Sequence, residues 1–244
     1  SLALSSLSPV HALDGSDTPI PNQLAGHVKL TASDGTRDDY FGAAVAADLS
    51  TVLVGVPYDS TGFDLEPGAV YAYLRASNGA WSEQAKLLSS DGQPFDAFGY
   101  AIDVQGDVAV VGAPFADGST GAVYVFQRSG GTWSQVAKLL ASDGTANDNF
   151  GAAVAISGGS IAIGAYGDNT NRGSIYVFTG GGSSWTQQQR LAASDAASGD
   201  NLGISVDLDG DTLIAGANLD DLLVNNDSRG SAYVFLRTGS CWPH

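Results

Sequence analysis

The 244-residue chain contains a single cysteine, Cys241, and no methionine. An intramolecular disulfide is therefore excluded. Only 10 residues are Lys or Arg, against 26 Asp and Glu, which gives a formal net charge of −16. This excess of acidic residues argues against nucleic acid as a partner, because such binding depends on cationic neutralisation of phosphates. The charge instead favours cations or basic partners.

Long apolar segments and recurring histidines are also missing. No run approaches the roughly 18 consecutive apolar residues that predict a transmembrane helix, so we expect no membrane span. The three histidines, His11, His27 and His244, lie near the chain ends. No HExxH, P-loop or GxSxG motif occurs in the sequence. We therefore predict no catalytic residues and no enzymatic activity.

The sequence does contain a fourfold internal repeat. An FG-type phrase begins at Phe41, Phe98, Phe150 and Leu202. Each phrase precedes a small apolar segment that ends in GVP, GAP, GAY or GAN, and then an aromatic segment such as VYVF. A Gly- and Ser-rich turn, a Trp and, in the first three units, a Lys-Leu or Arg-Leu pair follow. A repeat of about 50 residues indicates a solenoid, a propeller or an array.

Each unit predicts four antiparallel strands. X-Gly pairs such as Gln105-Gly106 mark a tight turn between the first two strands. The second strand is small and apolar, the third has one aromatic face, and the fourth is polar, as an outer edge strand should be. Such a sheet cannot bury both faces alone, and radial stacking of sheets is the usual solution. The sequence predicts an all-β fold, a four-bladed β-propeller of four-stranded antiparallel blades.

The chain ends predict how the propeller closes. The last unit has no Lys-Leu pair, whereas residues 24–30 (LAGHVKL) resemble a fourth strand that precedes an SDG loop. We predict that this N-terminal strand completes the last blade. Its insertion into another molecule is the alternative, and would build a homo-oligomer or a head-to-tail polymer. Residues 1–23 then form an N-terminal arm, either a remnant of a secretory signal or an assembly strand, and residues 24–244 form the propeller.

The phrases SDG…D.FG, VVGAP, GAVYVF and W…KL resemble FG-GAP repeats across residues 24–242. These repeats form the integrin α-subunit propeller, and the likeness to their bacterial extracellular relatives is greater. The resemblance implies a secreted or cell-surface module for adhesion, ligand binding or scaffolding. Integrin blades often carry a calcium loop between strands one and two. Here the nearest match, Asp207, Asp209 and Asp211, lies in a turn too short to surround calcium.

Acidic residues are concentrated in loops that a propeller opens on one face. These loops join strand four to the next strand one, and strand two to strand three. Oxygen ligands at this density suit Ca²⁺, which is the predicted cofactor. The predicted metal ligands are Asp91, Asp96, Asp143, Asp148, Asp195 and Asp200. The alternative is that these aspartates stabilise turns by accepting hydrogen bonds from nearby backbone N–H groups.

The same loop face is the predicted contact surface for a protein or glycan ligand. Aromatic residues that recur with the repeat are expected in the core, whereas Tyr40 and Phe115 fall near the acidic loops. The predicted ligand-binding residues are Asp59, Asp117, Asp168, Asp220, Tyr58 and Tyr166. We expect an extracellular binding, adhesion or scaffold module, and a carbohydrate-binding lectin is the alternative function.

Overall fold

The structure, a computed structural model, describes residues 27–61, 64–65, 67–221 and 228–242. The chain divides into two units, Ser1–Leu30 and Thr31–His244. In the first unit only residues 27–30 are described, and they lie outside any helix or strand. All of the described helices and strands belong to the second unit.

Four antiparallel sheets, which we call blades 1 to 4, follow the sequence repeat. Blade 1 contains β1 (Ala44–Asp48), β2 (Thr51–Val56), β5 (Ala69–Arg75) and β6 (Trp81–Leu87), with a small hairpin of β3 (Ser60–Thr61) and β4 (Asp64–Leu65) inserted after β2. Blade 2 contains β7 (Ala101–Gln105), β8 (Val108–Ala113), β9 (Ala122–Ser129) and β10 (Thr132–Leu139). Blade 3 contains β11 (Ala153–Ser157), β12 (Ser160–Ala165), β13 (Ser174–Gly181) and β14 (Ser184–Leu191). Blade 4 contains β15 (Leu202–Asp209), β16 (Thr212–Ala217) and β17 (Ser231–Leu236).

Apart from the hairpin of β3 and β4 inserted in blade 1, strands that follow one another along the chain are hydrogen-bonded neighbours in each blade. The only helices in the described residues are two single turns, α1 (Ala116–Ser119) and α2 (Asp168–Asn171), and neither is long or apolar enough to cross a membrane. The predicted all-β fold, a four-bladed β-propeller, is confirmed. Blade 4 has three strands among the described residues. The predicted closing strand at residues 24–30 lies partly outside the described residues, and it stays a prediction.

Apolar side chains fill the three spaces between successive blades. The side of each blade that meets the next blade, its forward face, carries mostly aliphatic residues such as Val70 and Ala72 of blade 1. The opposite side, its rear face, carries aromatic residues such as Phe98 and Tyr124 of blade 2. The same arrangement recurs between blades 2 and 3 and between blades 3 and 4. Burial of these faces is therefore the main source of stability.

Glycines allow the innermost strands to approach one another. A Cβ atom added to Gly112, in the GAP phrase of blade 2, would lie 2.0 Å from the carbonyl oxygen of Gly151 in the FG phrase of blade 3. Gly151 itself has a φ of +94°, a backbone angle that residues with a side chain rarely adopt. The equivalent distances are 2.2 Å for Gly55 with Gly99 and 1.9 Å for Gly164 with Gly203. The FG and GAP phrases are therefore the two sides of one contact between blades.

Replacement of Gly112 by alanine is expected to destabilise the propeller by about 1–3 kcal/mol, because the new Cβ would overlap the backbone of blade 3. Urea unfolding would measure the loss. Gly181→Ala is the matched control, since nothing lies within 4 Å of a Cβ at that position. It should change stability by less than about 0.5 kcal/mol. Equal stability of the two variants would contradict this account.

Candidate functional site

Each of the first three blades places a basic side chain between two aspartates at its loop end. In blade 2, Lys138 of β10 lies with its Nζ 2.7 Å from Asp91 Oδ2 and 3.5 Å from Asp117 Oδ2. The Tyr124 hydroxyl donates a hydrogen bond to Asp91 Oδ1 at 2.9 Å. The cation therefore joins the loop before the blade to the loop between its second and third strands.

Blades 1 and 3 repeat this arrangement. Lys86 Nζ lies 2.9 Å from Asp34 Oδ2 and 2.8 Å from Asp59 Oδ2. In blade 3, Arg190 takes the place of the lysine and pairs with Asp143, at 3.5 Å, and with Asp168. Five of the predicted site residues thus form ion pairs with a strand-four cation. They are Asp59, Asp91, Asp117, Asp143 and Asp168.

These contacts determine the charge of the face. A hydrogen bond from Lys138 holds the pKa of Asp91 below its usual range. Burial and the hydrogen bond to Asp91 raise the pKa of Tyr124. Burial alone would lower the pKa of Lys86, but its hydrogen bonds to Asp34 and Asp59 raise it. At neutral pH Asp91 and Lys138 are therefore charged and compensate one another, while Tyr124 stays neutral.

Blade 4 lacks this compensation. The Tyr233 hydroxyl oxygen lies 3.0 Å from Asp195 Oδ1 and 2.9 Å from Asp220 Oδ2, so its single proton is shared between the two carboxylates. No Lys or Arg in the described part of the chain forms an ion pair with either aspartate. Asp195 and Asp220 are thus an acidic pair bridged only by a neutral hydroxyl.

The second aspartate of each predicted pair points inward and caps a turn. Asp96 accepts a hydrogen bond from the Gln93 backbone N–H at 2.8 Å, and Asp148 accepts one from the Thr145 backbone N–H at 2.6 Å. Asp200 accepts a hydrogen bond from the backbone N–H three residues before it, at 2.5 Å. All three aspartates are buried, and burial raises the pKa of Asp96. These are the contacts that the turn-stabilising alternative predicts.

The aspartates that were predicted to bind calcium are therefore divided between two tasks, ion pairing and turn capping. Within the described ranges, no three His, Cys, Asp or Glu side chains converge into a group that could hold a metal ion. The predicted calcium site stays a prediction. The sequence did not predict ion pairing by the basic residues of strand four, although the Lys-Leu pairs recur at one position of the repeat.

Aromatic side chains next to the FG and GAP phrases form a second feature of the loop face. The rings of Tyr40 and Tyr58 meet edge to face with centroids 5.5 Å apart, and those of Tyr100 and Phe115 do so at 5.7 Å. Tyr40, Tyr58 and Tyr100 are 64%, 49% and 39% exposed. Burial and the neighbouring Tyr100 raise the pKa of Tyr166. We call these five residues the aromatic rim.

Sequence reasoning missed two exposed aromatic residues, Tyr100 and Phe95. The repeat places alanine at the Tyr100 position in blades 1 and 3. Phe95 is 64% exposed and has a φ of +74°, where the repeat has the more tolerant Asp38, Asn147 and Gly199. A bulky residue where the other repeats have a small or turn-forming one was the signal that could have identified both. Backbone strain at an exposed aromatic residue is typical of functional sites.

Replacement of Phe95 by asparagine, the residue at the same position of blade 3, is expected to stabilise the fold by about 1 kcal/mol. The reason is that a phenylalanine in the left-handed region is strained by roughly 1–2 kcal/mol. Chemical denaturation would measure the change. The control is Leu140→Asn, at an exposed position with ordinary backbone geometry. The same loss of stability in both variants would show that Phe95 is not strained.

A model of the FG-GAP repeat matches the chain over residues 26–73, 81–126, 133–178 and 185–235. Among curated protein sequences, none matches the chain significantly. FG-GAP propellers are modules of the protein-binding or adhesion type, and FG-GAP repeats are typically extracellular. Each match covers the first three strands of one blade, and the last three matches begin on strand four of the blade before it. Together the four matches cover most of the residues. The chain belongs to the FG-GAP repeat family.

Proposed function

We propose that this propeller is an extracellular module that works by binding a protein ligand on its loop face, and not by catalysis. The observation that carries the proposal is the aromatic rim. Its tyrosines and phenylalanine lie beside the FG and GAP phrases, where the inner ends of the blades meet. Tyrosine is enriched among the residues that dominate binding energy at protein interfaces, because it combines a large apolar ring with a polar tip.

Charge supports a basic ligand surface. The chain carries a net charge of −16, and Asp117 is exposed on the loop face. Asp59, Asp168 and Asp220 are buried, which suits them to positioning the loops. Of the aspartates predicted to bind a ligand, Asp117 is therefore the one that we propose contacts it. The negative net charge of the chain attracts basic partners and accelerates their association.

The second candidate function is a carbohydrate-binding lectin. The exposed edge-to-face ring pair of Tyr40 and Tyr58 favours it, because sugar rings stack on exposed aromatic side chains. A lectin would use the same surface as a protein-binding module. The two functions therefore differ in the ligand and not in the site, and binding assays must separate them.

Tyr58→Ala and Tyr100→Ala are expected to weaken ligand binding by about tenfold or more, because truncation of a central aromatic anchor costs on the order of 2 kcal/mol. The probes are a glycan array and an array of basic peptides. Saturable binding to peptides supports the protein-binding function, and sugar-specific binding supports the lectin. Leu88→Ala is the control, at a residue of similar exposure outside the aromatic rim. Failure of both arrays, or unchanged binding by both tyrosine variants, would refute the proposal.

Calcium binding at the loop face is a further part of the proposal. Basic side chains already neutralise the aspartates of blades 1 to 3, so the uncompensated pair of Asp195 and Asp220 in blade 4 is the remaining candidate. Secretion, and self-assembly by exchange of residues 24–30, are proposed on the family resemblance and the chain-end pattern.

If calcium binds at blade 4, millimolar calcium should raise the melting temperature above its value in a chelator, because a ligand that binds only the folded state stabilises it. Differential scanning calorimetry would measure the difference. Asp195→Asn should abolish the calcium effect, whereas Asp107→Asn, at a turn that pairs with Arg128, should preserve it. An identical melting temperature in calcium and chelator would remove the calcium site and leave the proposed ligand surface untouched.

A further inference from the structure

The forward face of blade 4 is exposed, although the same face is buried in every other blade. Ile214 occupies the position of Leu53, Val110 and Ala162, which are fully buried, yet it is 41% exposed. Val234 occupies the position of the fully buried Ala72, Val125 and Val177, and it is 58% exposed. A surface with the composition of a blade interface is therefore open at one end of the repeat.

The rear face of blade 1 is open at its innermost strand, whereas Tyr71 and Tyr73 on the same face are buried. Val45 is 70% exposed, whereas Ile102 and Val154 at the same position of blades 2 and 3 are 8% exposed. The innermost strands pack in succession, β1 on β7, β7 on β11 and β11 on β15, but β15 and β1 do not pack on each other in this way. The exposed residues on these two faces occupy the same repeat positions that pack against each other at the three interfaces between blades within the chain.

A hydrogen bond between the innermost strands of blades 2 and 3 has an unpaired counterpart in blade 4. Asp103 of blade 2 accepts a hydrogen bond from Val104 N at Oδ1 and one from Ile156 N of blade 3 at Oδ2, both at 2.8 Å. Asp207 of blade 4 has the same position and accepts the equivalent local bond from Leu208 N at 2.9 Å. Asp207 is exposed and, among the described residues, accepts no hydrogen bond from another blade. The missing donor corresponds to the backbone N–H of Ala47 in blade 1.

The turns between first and second strands form a second ladder. Asp48 accepts a hydrogen bond from Gly106 N at 2.5 Å, Gln105 from Gly158 N at 2.9 Å, and Ser157 from Gly210 N at 3.1 Å. Each bond runs from the turn of one blade to the turn of the next. At the ends of this series, Asp209 of blade 4 is an acceptor without a donor, and the N–H of Leu49 in blade 1 is a donor without an acceptor, among the described residues. Leu49 is 92% exposed.

A third series involves arginine and hydroxyl groups on the second and third strands. Arg128 of blade 2 donates to Thr51 Oγ1 of blade 1 at 2.9 Å, and Arg237 of blade 4 donates to Ser160 Oγ of blade 3 at 3.1 Å. The equivalent unmatched groups are Thr212 of blade 4 and Arg75 of blade 1. The open faces are thus complementary in apolar composition and in three kinds of hydrogen bond.

We propose that the forward face of blade 4 docks on the rear face of blade 1 of a second copy of this chain. Asp207 then accepts the Ala47 N–H, Asp209 accepts the Leu49 N–H, and Ile214 and Val234 are covered. Such a contact is heterologous, so it forms a ring if the rotation closes and a filament if it does not. This interface is separate from the loop face and needs no ligand.

The test is the mass of the purified chain in solution, measured by sedimentation over a range of micromolar concentrations. The wild type is expected to form dimers or longer head-to-tail assemblies. Val234→Lys blocks the forward face and Val45→Lys the rear face, so each variant alone should lose the closed assembly. Leu88→Lys is the control, since it adds the same charge at an exposed apolar residue outside both faces.

Mixing the two blocked variants gives the sharpest outcome. A Val45→Lys chain retains an intact forward face, and a Val234→Lys chain retains an intact rear face, so the mixture should form a heterodimer through one wild-type interface. Asp207→Ala, at an exposed position, should weaken association by about tenfold, because a hydrogen bond to a charged group is lost. Circular dichroism checks that each variant is folded.

A wild type that stays monomeric at all concentrations would overturn the proposal. So would assemblies that Val45→Lys and Val234→Lys leave unchanged, or a mixture of the two that fails to associate. For a monomer, cysteines at Ala47 and Asp207, in a Cys241→Ser background, would reveal whether the two faces meet within one chain. An intrachain disulfide between these cysteines would assign closure of the ring to the chain itself.

Discussion

The contact between glycine backbones of neighbouring blades is the constraint on which the propeller depends. A Cβ atom at Gly164 would lie 1.9 Å from the Gly203 carbonyl oxygen, so no other residue can occupy that position without displacing a blade. Close approach of the inner strands then leaves a wider space further out. Aliphatic forward faces and aromatic rear faces, such as Val177 against Phe235, fill this space. The small residues of the inner strands and the large residues of the third strands are thus consequences of one geometry.

The same constraint builds the loop face. Because the FG and GAP phrases of neighbouring blades converge, the residues beside them are brought to the inner ends of the blades, which positions Tyr58 and Tyr100 for contact with a ligand. Further out, Lys86 and Lys138 tie the loops together by pairing with aspartates on both sides. The face therefore combines aromatic anchors with loops that are held by compensated charges.

Repetition also explains why the end blades differ from the middle ones. In a repeat structure each unit is stabilised by its neighbours, so the outer faces of blades 1 and 4 keep the chemistry of an interface without its partner. Val45 and Val234 are exposed for this reason and not because their positions are polar in the repeat. Among the described residues, Asp195 and Asp220 of blade 4 also form no ion pair with a strand-four cation. In the described residues, both the forward face and the loop end of blade 4 thus lack a contact that the other blades have.

The sequence by itself determined the four blades, their strand order and the inward direction of the Gly- and Ala-rich strands, because these depend on local periodicity that recurs four times. It also indicated that acidic residues gather on one face. Only the tertiary structure decided what each acid does, since Asp91 meets Lys138 from a strand 47 residues away while Asp96 turns inward to the Gln93 backbone. Exposure of Ile214 and Val45 was likewise decided by tertiary packing, because identical positions of the repeat are buried or open according to whether a neighbouring blade covers them.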